Sequence, residues 1–119
     1  MKRSVGLRLH DIVEAIEGIE MTTAGMTFAQ YQQSWQVRRA VERGIEIISE
    51  ASWHVPEELK LRYPQIHWRE IAGIGNLLRH EYGRIDDRIM WRVVQRYLPD
   101  LKGVVLDMLE RQEPQKPKP

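Results

Sequence analysis

The residues best suited to chemistry crowd into one segment, Gly73-Ile74-Gly75-Asn76-Leu77-Leu78-Arg79-His80-Glu81-Tyr82-Gly83-Arg84-Ile85-Asp86-Asp87. Asn, Arg, His, Glu, Tyr and a second Arg all fall between positions 76 and 84. His is the side chain most easily used as an acid or base near neutral pH. Asn76 lies four residues before His80, so on a continuous helix the two share a face and the amide can hold the imidazole in one tautomer. Arg79 or Arg84 can grip a phosphate through its planar fork. Together these groups suit phosphodiester chemistry: a base for a 2′-hydroxyl and cations for the charge that develops on phosphorus. The same residues also suit a polar helix end, with His80 bonded to Asn76, the arginines solvated, and Tyr82 packing its ring with its hydroxyl at the surface.

Other chemistries find less support. Among His10, His54, His67 and His80, no pair has the i, i+4 spacing of a helical metal site with a carboxylate beside it. Gly73-Ile74-Gly75 lacks the third glycine and the preceding strand of a dinucleotide fingerprint. No cofactor is expected. The chain has no Cys, which excludes a disulfide framework, a zinc–thiolate site and a cysteine nucleophile. Lys plus Arg number 18 against 17 Asp plus Glu, a net charge of +1, so any basic surface must be local. Arg79, Arg84 and Arg88 lie close enough in sequence to supply one. No apolar run approaches a membrane span, and Asp11 and Glu14 interrupt where a signal peptide would be hydrophobic. A cytoplasmic protein with no membrane contact is expected.

The 119 residues suit one domain burying roughly 60–70% of its unfolded surface. The elements that must position the segment read as helices throughout. Leu9, Ile12, Val13, Ile16 and Ile19 form one apolar stripe of a helix over 5–21. Thr27 with Gln30 makes a capping box that opens a second helix, expected to run unbroken over 28–53. Its apolar residues occupy more than one face near Val41 to Ile48, as in a helix central to a bundle or at a subunit interface. Gly44 within it points to close approach of another helix. Pro56 starts a short helix over 57–63. A third main helix is expected from near Ile66, running through Trp68, Ile71, Ile74, Leu77 and Leu78 towards Tyr82, with Gly83 ending it. Asp86 or Asp87 caps a helix carrying Ile89, Met90, Val93, Val94 and Tyr97 inward, which Pro99 breaks. A last helix buries Leu101, Val104, Val105, Met108 and Leu109. The expected fold is all-α, an up-and-down bundle of about four main helices and one short one. It spans residues 1–112 and is followed by a disordered Pro/Lys-rich tail over 113–119.

The ordered set Leu9-x-x-Ile12-x-x-Ala15-Ile16, Arg39-Ala40-Val41-Glu42-Arg43-x-x-Glu46-Ile47-Ile48-x-Glu50-Ala51 and Pro64-x-Ile66-x-Trp68 resembles the HepT-like branch of the HEPN superfamily. Asn76-x-Leu78-x-His80-x-Tyr82, Ile85-Asp86 and Trp91 extend the resemblance, which covers about residues 7–110. It implies a homodimer and the toxin half of a type VII-like toxin–antitoxin pair. The toxin would be a metal-independent ribonuclease acting on RNA, and its partner a minimal nucleotidyltransferase antitoxin. By the resemblance His80 matches the catalytic His. Tyr82 matches the tyrosine that the partner silences by adenylylation. Asn76 matches the polar residue after the family Arg. That Arg falls on Gly75, a departure from the pattern. Arg79, from the same or the other subunit, is the candidate replacement, with Arg84 and Arg88 as RNA-phosphate contacts. The departure also motivates a second expectation: a catalytically weak or inactive binding module that docks the nucleotidyltransferase or a nucleotide. On that expectation, restoring Arg at 75 should create cleavage.

Overall fold

The computed structural model describes residues 4–81 and 86–112, with the backbone alone for 79–81 and 112. All regular structure among the described residues is helical. Helix α1 spans Val5–Thr23, α2 Phe28–Gln33, α3 Trp35–Trp53 and α4 Glu57–Lys60. Helix α5 spans Trp68–Glu81, α6 Asp87–Arg92 and α7 Leu98–Gln112, with a π-helical turn at Val93–Tyr97 between the last two. Four helices are long, at 14 to 19 residues, and three are short where one was expected.

Local chemistry accounts for the boundaries. Ser4 caps α1 by accepting from the Leu7 N–H at 3.1 Å. Gly25 leaves the helix with φ +75°, a conformation that favours glycine. The Thr27 hydroxyl accepts from Gln30 N–H at 3.1 Å and the Gln30 side chain accepts from Thr27 N–H at 2.9 Å, the anticipated capping box. The expected single helix over 28–53 is two helices. Ser34 takes an extended conformation (φ −103°, ψ 105°) and its hydroxyl accepts from Val37 N–H at 3.2 Å, capping α3. Asp86 caps α6 through the Arg88 N–H at 2.8 Å.

Pro99 does not break the chain into separate helices; α6, the π-helical turn and α7 are continuous. Proline has no N–H to give and its ring clashes with the carbonyl four residues back. The turn before it widens instead, and Leu98 N–H reaches Val93 O, five residues back.

The helices line up in the order α7, α1, α3, α5, each packing mainly on its neighbours. The α1 stripe of Leu9, Ile12, Val13, Ile16 and Ile19 is buried, as are Leu101, Val104, Val105, Met108 and Leu109 of α7. Lys102 ties α7 to α1 through Glu20 at 3.0 Å and Glu17 at 3.6 Å. Gly44 explains the α1–α3 contact: a Cβ there would lie 2.7 Å from Ile19 Cδ1. The rings of Phe28, Tyr31 and Trp91 hold α2 against α6, with centroids 6.3 and 5.1 Å from Trp91. Between α5 and the α6–α7 side the row does not close. A cavity of about 470 Å³ remains there, walled by Ile45, Ile48, Ile71, Ile74, Val93 and Leu101. Ile89 and Tyr97, expected inside, are about half exposed at its margin, and Leu77 is similarly exposed. Among the described residues no helix is long and apolar enough to cross a membrane.

Candidate functional site

Helix α5 carries residues 73–81 of the segment that the sequence singles out, and α3 positions them. The Ser49 hydroxyl, four residues before the end of α3, donates to Ala72 O at 2.9 Å, four residues after the start of α5. The two helices therefore run antiparallel. Gly75 makes their approach possible. A Cβ at position 75 would stand 2.1 Å from Ser49 Oγ and 2.4 Å from Ser49 Cβ, closer than any real contact. Both Gly75 and Ser49 are buried.

This bears on one expectation, that restoring Arg at 75 creates cleavage. A side chain at position 75 enters the α3–α5 seam, so restoring Arg there would wedge two helices apart rather than complete a site. Gly75 is a close-packing residue in this chain, beyond being a place where a cation is missing.

Asn76 is exposed on the outer side of α5. The backbone at 79 and 80 continues the helix, so position 80 lies one turn beyond Asn76 on the same face. Tyr82 and Arg84, and the expected helix end at Gly83, lie outside the described residues, as does the tail over 113–119. Arg88 is on α6 with a highly exposed side chain, its Nε 3.6 Å from Asp86 Oδ1. At about 100° per residue, Asn76 sits some 160° round α5 from Ile74, which lines the cavity. The Asn76 face and the apolar cavity are thus on opposite sides of one helix. Among the described residues no group of three His, Asp or Glu side chains is placed to hold a metal ion.

Residues not singled out from sequence gather at the same end of α5. With Ser49 level with Ala72–Gly75 and about 1.5 Å of rise per residue, Glu42 lies level with position 80. Glu42 precedes Ser49 by seven residues and so shares its face. Arg39 donates to Glu42 at 2.9 Å and lies over the Trp35 ring at 5.7 Å. Tyr31 is fully buried beside them, and its hydroxyl has no hydrogen-bond partner among the described residues. Burial pushes that hydroxyl far above the ordinary tyrosine range, with Asp87 and Glu42 adding to the shift. The signal in sequence was the i, i+3 pair Arg39/Glu42 and the i, i+4 pair Trp35/Arg39, which helical periodicity alone treats as ordinary surface.

The described residues form a small all-helical domain, and comparison with known proteins fixes its class. The model of the family described as Ribonuclease HepT-like matches residues 12–108. A probable ribonuclease HepT of Thermococcus cleftensis is 42% identical over 103 residues, covering 87% of this chain and 94% of that protein. A putative RNase of Methanocaldococcus jannaschii is 32% identical over 104 residues, covering 87% and 95%. A putative RNase of Caldanaerobacter subterraneus subsp. tengcongensis is 30% identical over 105 residues, covering 88% and 94%. No solved structure gives a significant match. The chain belongs to the HepT-like ribonuclease family of the HEPN superfamily.

Proposed function

We propose that the protein is a metal-independent endoribonuclease, the toxin of a type VII-like toxin–antitoxin pair, acting on RNA as a cytoplasmic homodimer. The observation that carries this reading is the family match across residues 12–108, which contains the whole His80 segment, together with relatives named as ribonucleases. His80 serves as general base towards a 2′-hydroxyl, or as general acid towards the leaving oxygen. Asn76 orients it, and Arg79 supplies the cation that the family places at 75. Arg84 and Arg88 contact neighbouring phosphates. Asn76 is exposed and lies on the side of α5 away from the apolar cavity, so among the described residues neither the cavity nor its walls enclose it. This supports a site completed by the same face of a second copy across a two-fold axis. Adenylylation of Tyr82 by a minimal nucleotidyltransferase would place bulk and negative charge two residues from His80, repelling RNA phosphates.

The test is cleavage of RNA in EDTA by protein expressed without a nucleotidyltransferase, beside His80→Ala. The wild type should cleave, and the variant should fall by about 10²–10⁴-fold, the usual contribution of a general acid–base group. The same samples should sediment as dimers at micromolar concentration. No cleavage by wild type, or equal cleavage by both, overturns the enzymatic reading. That outcome, with binding to the nucleotidyltransferase or a nucleotide retained, would favour the inactive docking module, the reading to which the missing cation at Gly75 points.

A further inference from the structure

The α3 face that packs on α5 continues past the end of that helix. Ser49 and Glu42 lie on it seven residues apart, and a further seven residues back is Trp35. Among the described residues no partner helix covers it there, the described part of α5 reaching only to Glu81. Trp35 is 60% exposed, at the first position of α3 behind its Ser34 cap. By helical rise its Cα lies about 10 Å along the axis beyond the level of position 80, which sits on the neighbouring helix about 8–10 Å to the side, a separation that two or three nucleotides of one strand cover. The Arg39 guanidinium lies 5.7 Å from the ring centroid and is fixed in turn by Glu42 at 2.9 Å. Arg38, half-buried, has no ion-pair partner among the described residues. Single exposed aromatics are common and need no explanation by themselves. This one differs in carrying a positioned arginine, a second arginine three residues on with no ion-pair partner among the described residues, and a place near the turn that holds position 80.

The geometry points to Trp35 as a stacking platform for a nucleobase of single-stranded RNA, with Arg39 holding the ring and Arg38 attracting the adjoining phosphate. Bases stack on such rings with little regard to sequence, and cations beside them add attraction. The ring would set how RNA lies on the protein next to the cleavage point. Trp35 is a binding residue and takes no part in proton transfer. This rests on the ribonuclease reading for its ligand but is tested separately from it.

The experiment uses a short, unstructured, fluorescently labelled RNA and full-length protein carrying His80→Ala, so that binding is read without cleavage. Adding Trp35→Ala should weaken binding about tenfold, as expected for loss of one stacked base, while Trp35→Phe should stay within about threefold. A single abasic nucleotide, moved along the RNA, should reproduce the loss at one position and cost nothing further in the Trp35→Ala background. Equal binding by Trp35→Ala and its parent, or additive losses at every position, overturns the platform. So does a change of sedimentation state in Trp35→Ala, which would make the ring a contact between copies of the chain. In otherwise wild-type protein, normal cleavage with unchanged KM in Trp35→Ala sinks the platform and leaves the ribonuclease reading standing. RNA binding through Trp35 without cleavage by wild type does the reverse, and absence of RNA binding defeats both.

Discussion

Gly75 carries the sharpest residue-scale consequence, because its missing Cβ is what lets Ser49 sit against α5. Gly75→Ala gains about 1 kcal/mol of helix propensity and meets an overpacking cost of roughly 1–3 kcal/mol. With the built Cβ 2.1 Å from Ser49 Oγ, the cost should win, and urea denaturation should show a loss of up to about 2 kcal/mol. Adding Ser49→Gly removes both clashing atoms and should recover part of that loss; strictly additive effects would refute the close contact. Gly75→Arg should destabilise more than Gly75→Ala and should not gain ribonuclease activity. Gly44 makes a useful contrast. There a Cβ would meet Ile19 Cδ1 and Cγ1 at 2.7 and 2.8 Å, the end of a side chain that can turn aside. The sequence announced Gly44 as a helix contact because a glycine within a helix costs stability that close approach of a neighbour can offset. It did not announce Gly75, whose partner is a serine 26 positions away that no periodicity marks.

At the scale of elements, the sequence was most legible where a side chain acts on its own neighbourhood. The Thr27–Gln30 box, the Asp86 cap and the buried stripes of α1 and α7 all followed from spacing. Breaks that need no glycine or proline were not legible. Ser34 splits a run that reads as continuous, since a serine cap resembles a tolerated polar residue until its extended backbone is seen. Pro99 misled in the opposite direction, because the π-helical turn absorbs it. The expanded turn carries one residue more than an α-helix needs, so its necessity can be tested by deletion. Removing exposed Gln95 should force an α-helical register onto Pro99 and cost about 3 kcal/mol, the usual penalty for proline within a helix. The same deletion combined with Pro99→Ala should return thermal stability to near the wild-type value. If the deletion is harmless with Pro99 in place, the proline does not require the wide turn.

Across the whole molecule, what sequence could not show is which apolar faces meet. Ile89, Tyr97 and Leu77 have the spacing of core residues, yet the row of helices leaves Ile89 and Tyr97 at its open side and Leu77 exposed on α5. The connection before α5 buries Ile66 in the core and carries a polar tie as well. Tyr63, in that connection, donates its hydroxyl to Asp107 of α7, and Arg111 donates to the same carboxylate at 3.0 Å. The hydrogen bond from Tyr63, reinforced by Arg111, holds the Asp107 carboxyl below its ordinary range. The bond to Asp107 raises the Tyr63 hydroxyl in return. The signs of the two linkages are opposite. Asp107 is more acidic in the folded state, so its contribution is present above the unfolded value near pH 4 and is lost as pH falls through the folded one. Tyr63 is less acidic in the folded state, so its contribution is present below about pH 10 and is lost as pH rises further. The groups are accessible to solvent, so screening keeps both effects modest and their direction is what is read. A profile of Tm against pH should therefore decline at both extremes. Asp107→Asn should shallow the decline between about pH 5 and 2.5, and Tyr63→Phe should shallow the decline above about pH 10. An unchanged acid limb in Asp107→Asn would show that the connection is fastened to α7 by packing and not by this carboxylate.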